Sequence, residues 1–211
     1  MKLGIIGTGN VGEALCKSLT HKGYHVMVGS RTPEKAIAVA NRMEHFAQGG
    51  TIASAIHYGE IVILAVPYKA IEEVLRSTDS FRGKIVIDCT NPFMRTPGGV
   101  ELALGHTTSA AEQIARMIPE ARVVKAFNTA FARHMASGPY FGANDGTMFY
   151  CGDDADAKEA AARIIAATGF EPVDCGALTS ARYLEPMAAL IVRLGMSGMG
   201  DDIAFKLLRR S

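Results

Sequence analysis

A glycine-rich turn near the start of the chain constrains its fold more than any other feature. Residues 3–6 form a short apolar run, which is typical of a buried strand, and residues 13–19 continue at helical spacing. The segment that joins them reads Gly7-Thr8-Gly9-Asn10-Val11-Gly12. A strand, a G-x-G-x-x-G turn and a helix in this order predict a dinucleotide-binding βαβ unit.

The three glycines of this turn have separate predicted roles. Gly7 allows the tight turn, Gly9 lets a pyrophosphate approach the backbone, and Gly12 lets the helix and the strand pack closely. The free N–H groups and the positive dipole end of the helix then point towards the phosphates. The glycine string alone would be a weak signal, and the strand and helix that flank it make the prediction.

The end of the second apolar run indicates which dinucleotide is bound. Residues 25–28 predict the next strand, and an NAD-binding protein normally has an Asp or Glu where that strand ends. This chain has Ser30 and Arg31 there, and Lys35 follows one turn into the next helix. Thr32 and Pro33 are explained as the N-cap and the first residue of that helix, but the two basic residues are not. A hydroxyl, a guanidinium and an ammonium suit a 2′-phosphate, so the sequence predicts NADP(H).

Composition limits the size of the fold and the class of partner. With 211 residues, of which 48% are hydrophobic and 20% charged, the chain predicts one large domain or one domain with a modest appendage. The net charge is +1 without charged blocks, so we expect neither nucleic acid nor a membrane surface as a partner. No apolar stretch approaches membrane-spanning length, and the first strand begins too early for a signal peptide, so we expect a cytoplasmic protein. The four cysteines are scattered, which predicts reduced thiols and no metal site.

Strand and helix signals alternate from residue 2 to about residue 126, including a predicted helix at 34–46 and a predicted loop at 96–99. This alternation predicts the α/β class, with a doubly wound parallel sheet of the Rossmann type. Ligands of such sheets bind at the carboxyl ends of the strands, where this chain has Ala65-Val66-Pro67, Asn91 and Asn128. The two asparagines either hydrogen-bond a ribose or a carboxamide or cap turns, and the sequence leaves both possibilities open.

The pattern changes after the sixth predicted strand. We therefore divide the chain into a nucleotide-binding domain at residues 1–127 and a small C-terminal αβ/helical extension at residues 128–211. Residues 180–210 are predicted to be mostly helical, with glycine interruptions and a wide apolar face. A face of this kind needs a partner. We expect it to form a homodimer contact and to close a substrate pocket against the sheet.

The motifs resemble those of a known family. The segments 7–12, 28–31 and 151–154, together with Lys35, resemble the NADP oxidoreductases that use the deazaflavin coenzyme F420. The resemblance covers nearly the whole chain. The segment 123–129 is similar to a second branch, which includes the cytosolic domain of six-transmembrane metalloreductases, where NADPH electrons pass to flavin.

The resemblance implies specific contacts to the cofactor. Residues 8–12 would hold the pyrophosphate, and Ser30, Arg31 and Lys35 would hold the 2′-phosphate. Ala65, Val66 and Pro67 would line the cofactor path, and the backbone of Ala132 would touch the nicotinamide amide. The deazaflavin enzymes have a His where this chain has Asn128.

The function that follows is hydride transfer between NADPH and a flavin or deazaflavin, such as coenzyme F420, FMN or FAD. The cofactors carry out this chemistry, so no catalytic acid–base residue is assigned. Two alternatives stay open: an NADPH-dependent carbonyl or imine reductase of the β-hydroxyacid dehydrogenase or pyrroline carboxylate reductase type, and a non-enzymatic NADP(H)-sensing module. The sequence does not assign the acceptor or the direction of the reaction.

Overall fold

A computed structural model describes residues 1–43, 46–78, 80–97 and 99–210. In chain order the strands are β1 Lys2–Ile6, β2 His25–Ser30, β3 Ala47–Thr51, β4 Ile61–Leu64, β5 Ile85–Asp88, β6 Phe93–Thr96, β7 Gly99–Leu102, β8 Arg122–Lys125, β9 Tyr140–Phe141, β10 Asn144–Asp145, β11 Thr147–Gly152 and β12 Glu171–Asp174. The α-helices are α1 Asn10–His21, α2 Pro33–Ala40, α3 Ile52–Tyr58, α4 Ile71–Leu75, α5 Ala110–Met117, α6 Ala132–Ser137, α7 Ala155–Ala167 and α8 Ala181–Leu194. Two 3₁₀ turns, Tyr68–Ala70 and Leu178–Ser180, and a π-helical turn, Gly195–Met199, complete the helical structure of the described residues.

One eight-stranded sheet organises the molecule, in the order β12-β11-β8-β5-β4-β1-β2-β3. Six of its strands, β8, β5, β4, β1, β2 and β3, are parallel to one another, β11 is antiparallel to β8, and β12 is parallel to β11. Strands β6 and β7 form a separate antiparallel hairpin. This arrangement confirms the predicted α/β Rossmann-type fold. Strands β11 and β12, which follow residue 127, belong to the same sheet as the strands before it. The sheet therefore does not mark a domain boundary at residue 127, and that boundary stays a prediction.

Helices cover both faces of the sheet. Alternate residues of the central strand β4 point to opposite sides, so Ile61 and Ile63 pack with α1, α2 and α7, whereas Val62 and Leu64 pack with α3, α4 and α5. All four side chains are buried, as the apolar run predicts for a central parallel strand. Each contributes about 1.5–3 kcal/mol of stabilisation on burial. In the part of the chain that the structure describes, no helix is long and apolar enough to cross a membrane.

Three predicted segments differ in the structure. The helix predicted at 34–46 ends at Ala40, and edge strand β3 follows it. Strand β3 passes close to α2 because Gly49 has no side chain: a Cβ there would lie 2.3 Å from the Ile37 nitrogen. Residues 44 and 45 of that prediction lie outside the described residues. The loop predicted at 96–99 lies within the hairpin β6–β7, and residue 98 is likewise outside them. The helical prediction is wrong for residues 201–210, where backbone pairing of Thr147 with Phe205, at 2.8 Å, holds the chain against β11.

Candidate functional site

The carboxyl ends of five neighbouring strands lie in register along one edge of the sheet. Cα pairing connects Gly29 to Ile6, Ile6 to Leu64, Leu64 to Asp88 and Asp88 to Lys125. The residues that follow them therefore line up across the same edge. In sheet order they are Ser30, Gly7, Ala65, Cys89 and Ala126. This alignment brings the glycine turn beside the predicted 2′-phosphate residues.

The glycine turn is fixed by close backbone contacts. The Gly7 N–H donates to the Gly29 carbonyl at 2.9 Å, and Gly7 has a φ of +124°. A Cβ on Gly7 would lie 2.2 Å from the Ala65 oxygen, and one on Gly12 would lie 2.1 Å from the Gly7 oxygen. Both glycines are therefore required by packing, as predicted for the tight turn and for the contact between helix and strand.

Gly9 differs from the other two glycines because it faces open space. A Cβ on Gly9 would meet no heavy atom within 4 Å. The residue is the N-cap of α1, and no side chain among the described residues caps that helix, so its first N–H groups are free. The cleft beside it measures about 430 Å³ and is lined by Gly9, Asn10, Val11, Ala65, Val66, Pro67 and Cys89. This open helix N-terminus fits a pyrophosphate.

The predicted 2′-phosphate residues lie on the surface next to this turn. Arg31 is more than half exposed and forms an ion pair of 3.1 Å with Glu73 of α4. The Ser30 hydroxyl accepts a hydrogen bond from the Thr32 N–H at 3.2 Å. Thr32 occupies the predicted N-cap position of α2, but its side chain makes no capping hydrogen bond to the described residues. Lys35 is exposed in the first turn of that helix. The sequence did not indicate Glu73, because its pairing with Arg31 depends on how α4 packs on the sheet.

Asn91 and Asn128 bond to each other at the other end of the edge. The Asn91 Nδ2 donates to the Asn128 carbonyl at 3.3 Å, and the Asn128 Nδ2 donates to the Asn91 Oδ1 at 3.1 Å and to the Leu184 carbonyl at 2.9 Å. Two acceptors on Nδ2 fix the orientation of the Asn128 amide. Its Oδ1 is buried without a partner among the described residues, and so is the Thr90 Oγ1.

The backbone beside this pair is strained. Phe127 is buried and has a φ of +61°. A left-handed conformation costs a bulky L-residue about 1–3 kcal/mol, and such residues cluster at functional sites. The strained residue precedes Asn128 directly, so it fixes the direction in which the chain leaves β8.

A buried ionic cluster lies beneath the same strand ends. The Lys125 Nζ is 2.8 Å from the Asp88 Oδ2 and 2.9 Å from the Glu185 Oε1, and it also donates to the Thr90 carbonyl. Burial alone would lower the pKa of Lys125, but the charges of Asp88 and Glu185 and their hydrogen bonds outweigh it, so the pKa is raised. Lys125 therefore stays protonated and is not a proton donor at neutral pH. This cluster was not predicted from the sequence, although the ends of two apolar strands have a Lys and an Asp that could have indicated it.

The remaining candidates lie further from the cleft. Ala132 is the first residue of α6 and lies outside the cleft lining, as do Asn91 and Asn128. His134 is buried, and its Nε2 lies 3.1 Å from the Asp201 carbonyl, so it contacts the segment after α8.

Burial raises the pKa of the cysteine thiols. Burial raises the pKa of Cys16 and of Cys151 to about 12, and burial together with the charge of Asp88 raises the pKa of Cys89. Cys89 therefore borders the cleft as a neutral thiol. No group of metal-binding side chains occurs in the described ranges.

Comparisons with known proteins agree with this geometry. The family model described as NADP oxidoreductase, coenzyme F420-dependent, matches residues 2–92. The F420-dependent NADP reductase of Methanothermobacter marburgensis is 32% identical, and the match covers 93% of each chain. Metalloreductase STEAP3 of Rattus norvegicus is 33% identical over 184 residues, 87% of this chain, but the match spans only 36% of that protein.

Solved structures lead to the same family. A crystal structure of a provisionally assigned F420-dependent NADP reductase from Arthrobacter sp. FB24 superposes with a TM-score of 0.89, at 30% identity. The match covers 99% of this chain and 100% of that one. Since a curated reductase matches it at 32% identity along nearly its whole length, the chain belongs to the family of coenzyme F420-dependent NADP oxidoreductases and is an NADP-dependent oxidoreductase.

Proposed function

We propose that this enzyme transfers a hydride between NADPH and the ring of a flavin or deazaflavin, with coenzyme F420, FMN or FAD as the acceptor. The observation that carries the proposal is the open N-terminus of α1 at Gly9, flanked by Ser30 and Arg31 on one side and by the Asn91–Asn128 pair on the other. A dinucleotide bound along the edge, with its 2′-phosphate at Ser30 and Arg31, has its adenosine at the end of β2 and its nicotinamide at the ends of β5 and β8.

Each part of the cofactor then has its contacts. Residues 8–12 hold the pyrophosphate through backbone N–H groups. Ser30, Arg31 and Lys35 hold the 2′-phosphate, for which Arg31 exchanges its contact with Glu73. The half-buried Ala65 and Val66, with Pro67, line the path to the nicotinamide, which reaches Asn91, Asn128 and the backbone of Ala132.

The side chains near the nicotinamide orient the reactants. When bound, NADPH supplies the hydride, and its chemistry needs no proton shuttle from the protein. Lys125 is held in its ion pairs and Cys89 is a neutral thiol, so neither takes part in proton transfer. The protein's contribution is to hold the donor and acceptor carbons in register, which accounts for a large share of such rate enhancements.

A second copy of the chain is the proposed partner. Tyr183, Pro186 and Leu190 are exposed along one face of α8, at helical spacing, and Met196 and Met199 continue this apolar surface. We therefore keep the homodimer through α8 as part of the proposal.

Anaerobic stopped-flow spectroscopy with NADPH tests the proposed reaction. Coenzyme F420, FMN and FAD are offered separately, and a cyclic imine and a ketone serve as controls. We expect bleaching of a flavin or deazaflavin within a single turnover. Reduction of only the imine or the ketone would instead establish the imine or carbonyl reductase alternative. Binding of NADPH without transfer to any of the five would contradict the proposed reaction but leave the cofactor site intact.

A further inference from the structure

We infer that Lys125 is a positioning residue for hydride transfer. With Asp88 and Glu185 it locks helix α8 against the ends of β5 and β8, and so fixes Thr90 and Asn128 at the nicotinamide end of the site. The inference rests on the proposed function, because it assumes that this end of the sheet edge receives the nicotinamide.

The ammonium of Lys125 joins three separate parts of the chain. Its three N–H groups match three acceptors: the carboxylate of Asp88 on β5, the carboxylate of Glu185 on α8, and the carbonyl of Thr90 in the turn after β5. The side chains of Lys125 and Asp88 are 0% exposed and that of Glu185 is 2% exposed. A compact cation with every donor used in a buried site has one position, so the three acceptors are held relative to one another.

Helix α8 is tied to the same place by further bonds. The Glu185 carboxylate also accepts from the N–H groups of Ala110 and Ala111, at 3.0 and 3.3 Å, where α5 begins. The preceding residue, Leu184, accepts from the Asn128 amide. One turn of α8 therefore touches the ends of β5 and β8 and the start of α5. A shift of α8 would move these contacts together.

The cluster fixes the two residues that have an unused oxygen. The Thr90 Oγ1 and the Asn128 Oδ1 are buried and have no partner among the described residues. Buried acceptors are nearly always satisfied in native proteins, so a pair of them at one site points to a donor that the protein does not itself supply. Lys125 binds the carbonyl of Thr90, and Asn128 follows it by three residues. The donor would come from outside the protein, either an ordered water or the carboxamide N–H or ribose O–H of the cofactor.

Stability alone does not account for this cluster. Buried ion clusters can often be replaced by neutral side chains of similar volume without loss of stability, because desolvation offsets the Coulomb attraction. What a neutral replacement would lose is the geometric constraint on the Thr90 carbonyl and on α8. We therefore expect neutral replacement to increase the motion of the bound nicotinamide and to leave the melting temperature unchanged.

The decisive variant is the neutral triple substitution Asp88→Asn, Lys125→Met and Glu185→Gln. It keeps an oxygen for the Thr90 N–H and another for the Ala110 N–H, but removes the ammonium and both charges. The matched control is Lys158→Met, which removes a lysine–aspartate pair of 2.9 Å between α7 and β12 at the far edge of the sheet.

Time-resolved fluorescence anisotropy of bound NADPH is the readout, because it reports the motion of the nicotinamide without any acceptor. We expect the wild type and Lys158→Met to hold the ring rigidly. The triple variant should show an added fast depolarisation while it melts and binds NADPH as the wild type does. With the acceptor that the wild type reduces, hydride transfer by the triple variant should slow by about tenfold to a hundredfold. Its isotope effect with 4-deuterated NADPH should rise.

Rigid nicotinamide fluorescence and unchanged hydride transfer in the folded triple variant would overturn the inference. If the triple variant does not fold, Glu185→Gln gives the same test. Its amide oxygen can still accept from the Ala110 N–H, while its NH2 group replaces the oxygen that binds the Lys125 ammonium and the Ala111 N–H. A wild type that fails to bind NADPH would reject the proposed function instead, so the two failures are distinguishable.

Discussion

At the scale of single residues, Gly9 and Gly12 allow packing to be separated from cofactor binding within one turn. A Cβ on Gly12 would lie 2.1 Å from the Gly7 oxygen, whereas a Cβ on Gly9 would point into open space beside the cleft. Gly9 has a φ of −82° and a ψ of −177°, which any L-residue adopts. The same substitution should therefore lower mainly stability at Gly12 and mainly cofactor affinity at Gly9, three residues away.

We expect Gly12→Ala to lower the free energy of unfolding by about 1–3 kcal/mol, as overpacking does. Gly9→Ala should cost less, about 0.5–1 kcal/mol for Ala in place of Gly at an N-cap. It should weaken NADPH and NADH equally, by about tenfold or about 1.4 kcal/mol. Thermal unfolding and fluorescence titration of both variants measure these effects. Normal NADPH affinity in Gly9→Ala, and also in the bulkier Gly9→Val, would show that the pyrophosphate does not bind at this turn.

Arg31 determines the choice between the two pyridine cofactors in the proposed site. Arg31→Ala should weaken NADPH by about 1.5–3 kcal/mol, the range for charge-assisted hydrogen bonds, and leave NADH nearly unchanged. Glu73→Gln is the control: the Arg31–Glu73 pair is exposed and contributes at most about 1 kcal/mol, so NADPH affinity should change by less than about fivefold. Calorimetric titration of the variants with both cofactors measures these affinities. An equal loss of affinity for NADPH and NADH in Arg31→Ala would contradict the 2′-phosphate assignment.

At the scale of elements, helices α5 and α8 are joined by a two-pronged ion pair. The Arg182 Nε and Nη2 lie 2.9 and 2.6 Å from the two carboxylate oxygens of Glu112. The hydrogen bond from Arg182 is the main cause that lowers the pKa of Glu112, and the Ser109 hydroxyl also contributes. Because the same carboxylate belongs to the N-terminal capping contacts of α5, it stabilises both the start of α5 and its packing on α8.

A lowered pKa in the folded state gives the pH dependence a definite sign. Glu112 stabilises the fold fully above its unfolded pKa, and this stabilisation is lost as the pH falls through the lower, folded pKa. Glu112→Gln should therefore cost about 1 kcal/mol at neutral pH and progressively less in acid, since its partner Arg182 is about one-third exposed. Denaturant unfolding of both proteins from neutral to acid pH measures the difference. A constant difference across this range would contradict the role assigned to the ion pair.

Local patterns predicted the elements that form the proposed phosphate site. The apolar run, the glycine turn and the helix are contiguous in sequence, so β1, α1 and the end of β2 were predicted close to their observed positions. Edge strand β3 was missed because its Gln48-Gly49-Gly50 sequence has neither alternation nor β-branched residues, and its pairing with β2 forms it. The hairpin β6–β7 was missed for a different reason, since Pro97 between its strands is typical of an ordinary loop.

Contacts between distant residues explain why the site was only partly predicted. Glu185 meets Lys125, and Glu73 meets Arg31, because of how α8 and α4 pack on the sheet. No local spacing indicates such pairs. Asn128 was singled out from its place after a strand, but its bond to Leu184 and its unused Oδ1 follow only from the tertiary structure.

At the scale of the whole molecule, the C-terminal residues both enlarge the sheet and cover its functional edge. Strands β11 and β12 continue the sheet beyond β8, and α8 then returns across it, so that its buried side meets Asn128 and Lys125. The opposite side of α8 has the exposed Tyr183 and Leu190. Whatever packs on that exposed side therefore lies one helix away from the nicotinamide end of the site.

We expect a second copy of the chain to cover the exposed side of α8, and Leu190→Glu tests this expectation. Leu190 is 50% exposed, and burying it and its neighbours between two copies removes apolar surface from water, whereas a carboxylate there would have to be desolvated. Sedimentation should show a wild-type dimer and a Leu190→Glu monomer that still binds NADPH, because the proposed phosphate contacts lie at the other end of the edge. Ile37→Glu, an equally apolar and 44% exposed position on α2, should stay dimeric. A monomeric wild type, or a Leu190→Glu dimer as stable as the wild type, would exclude α8 as the interface.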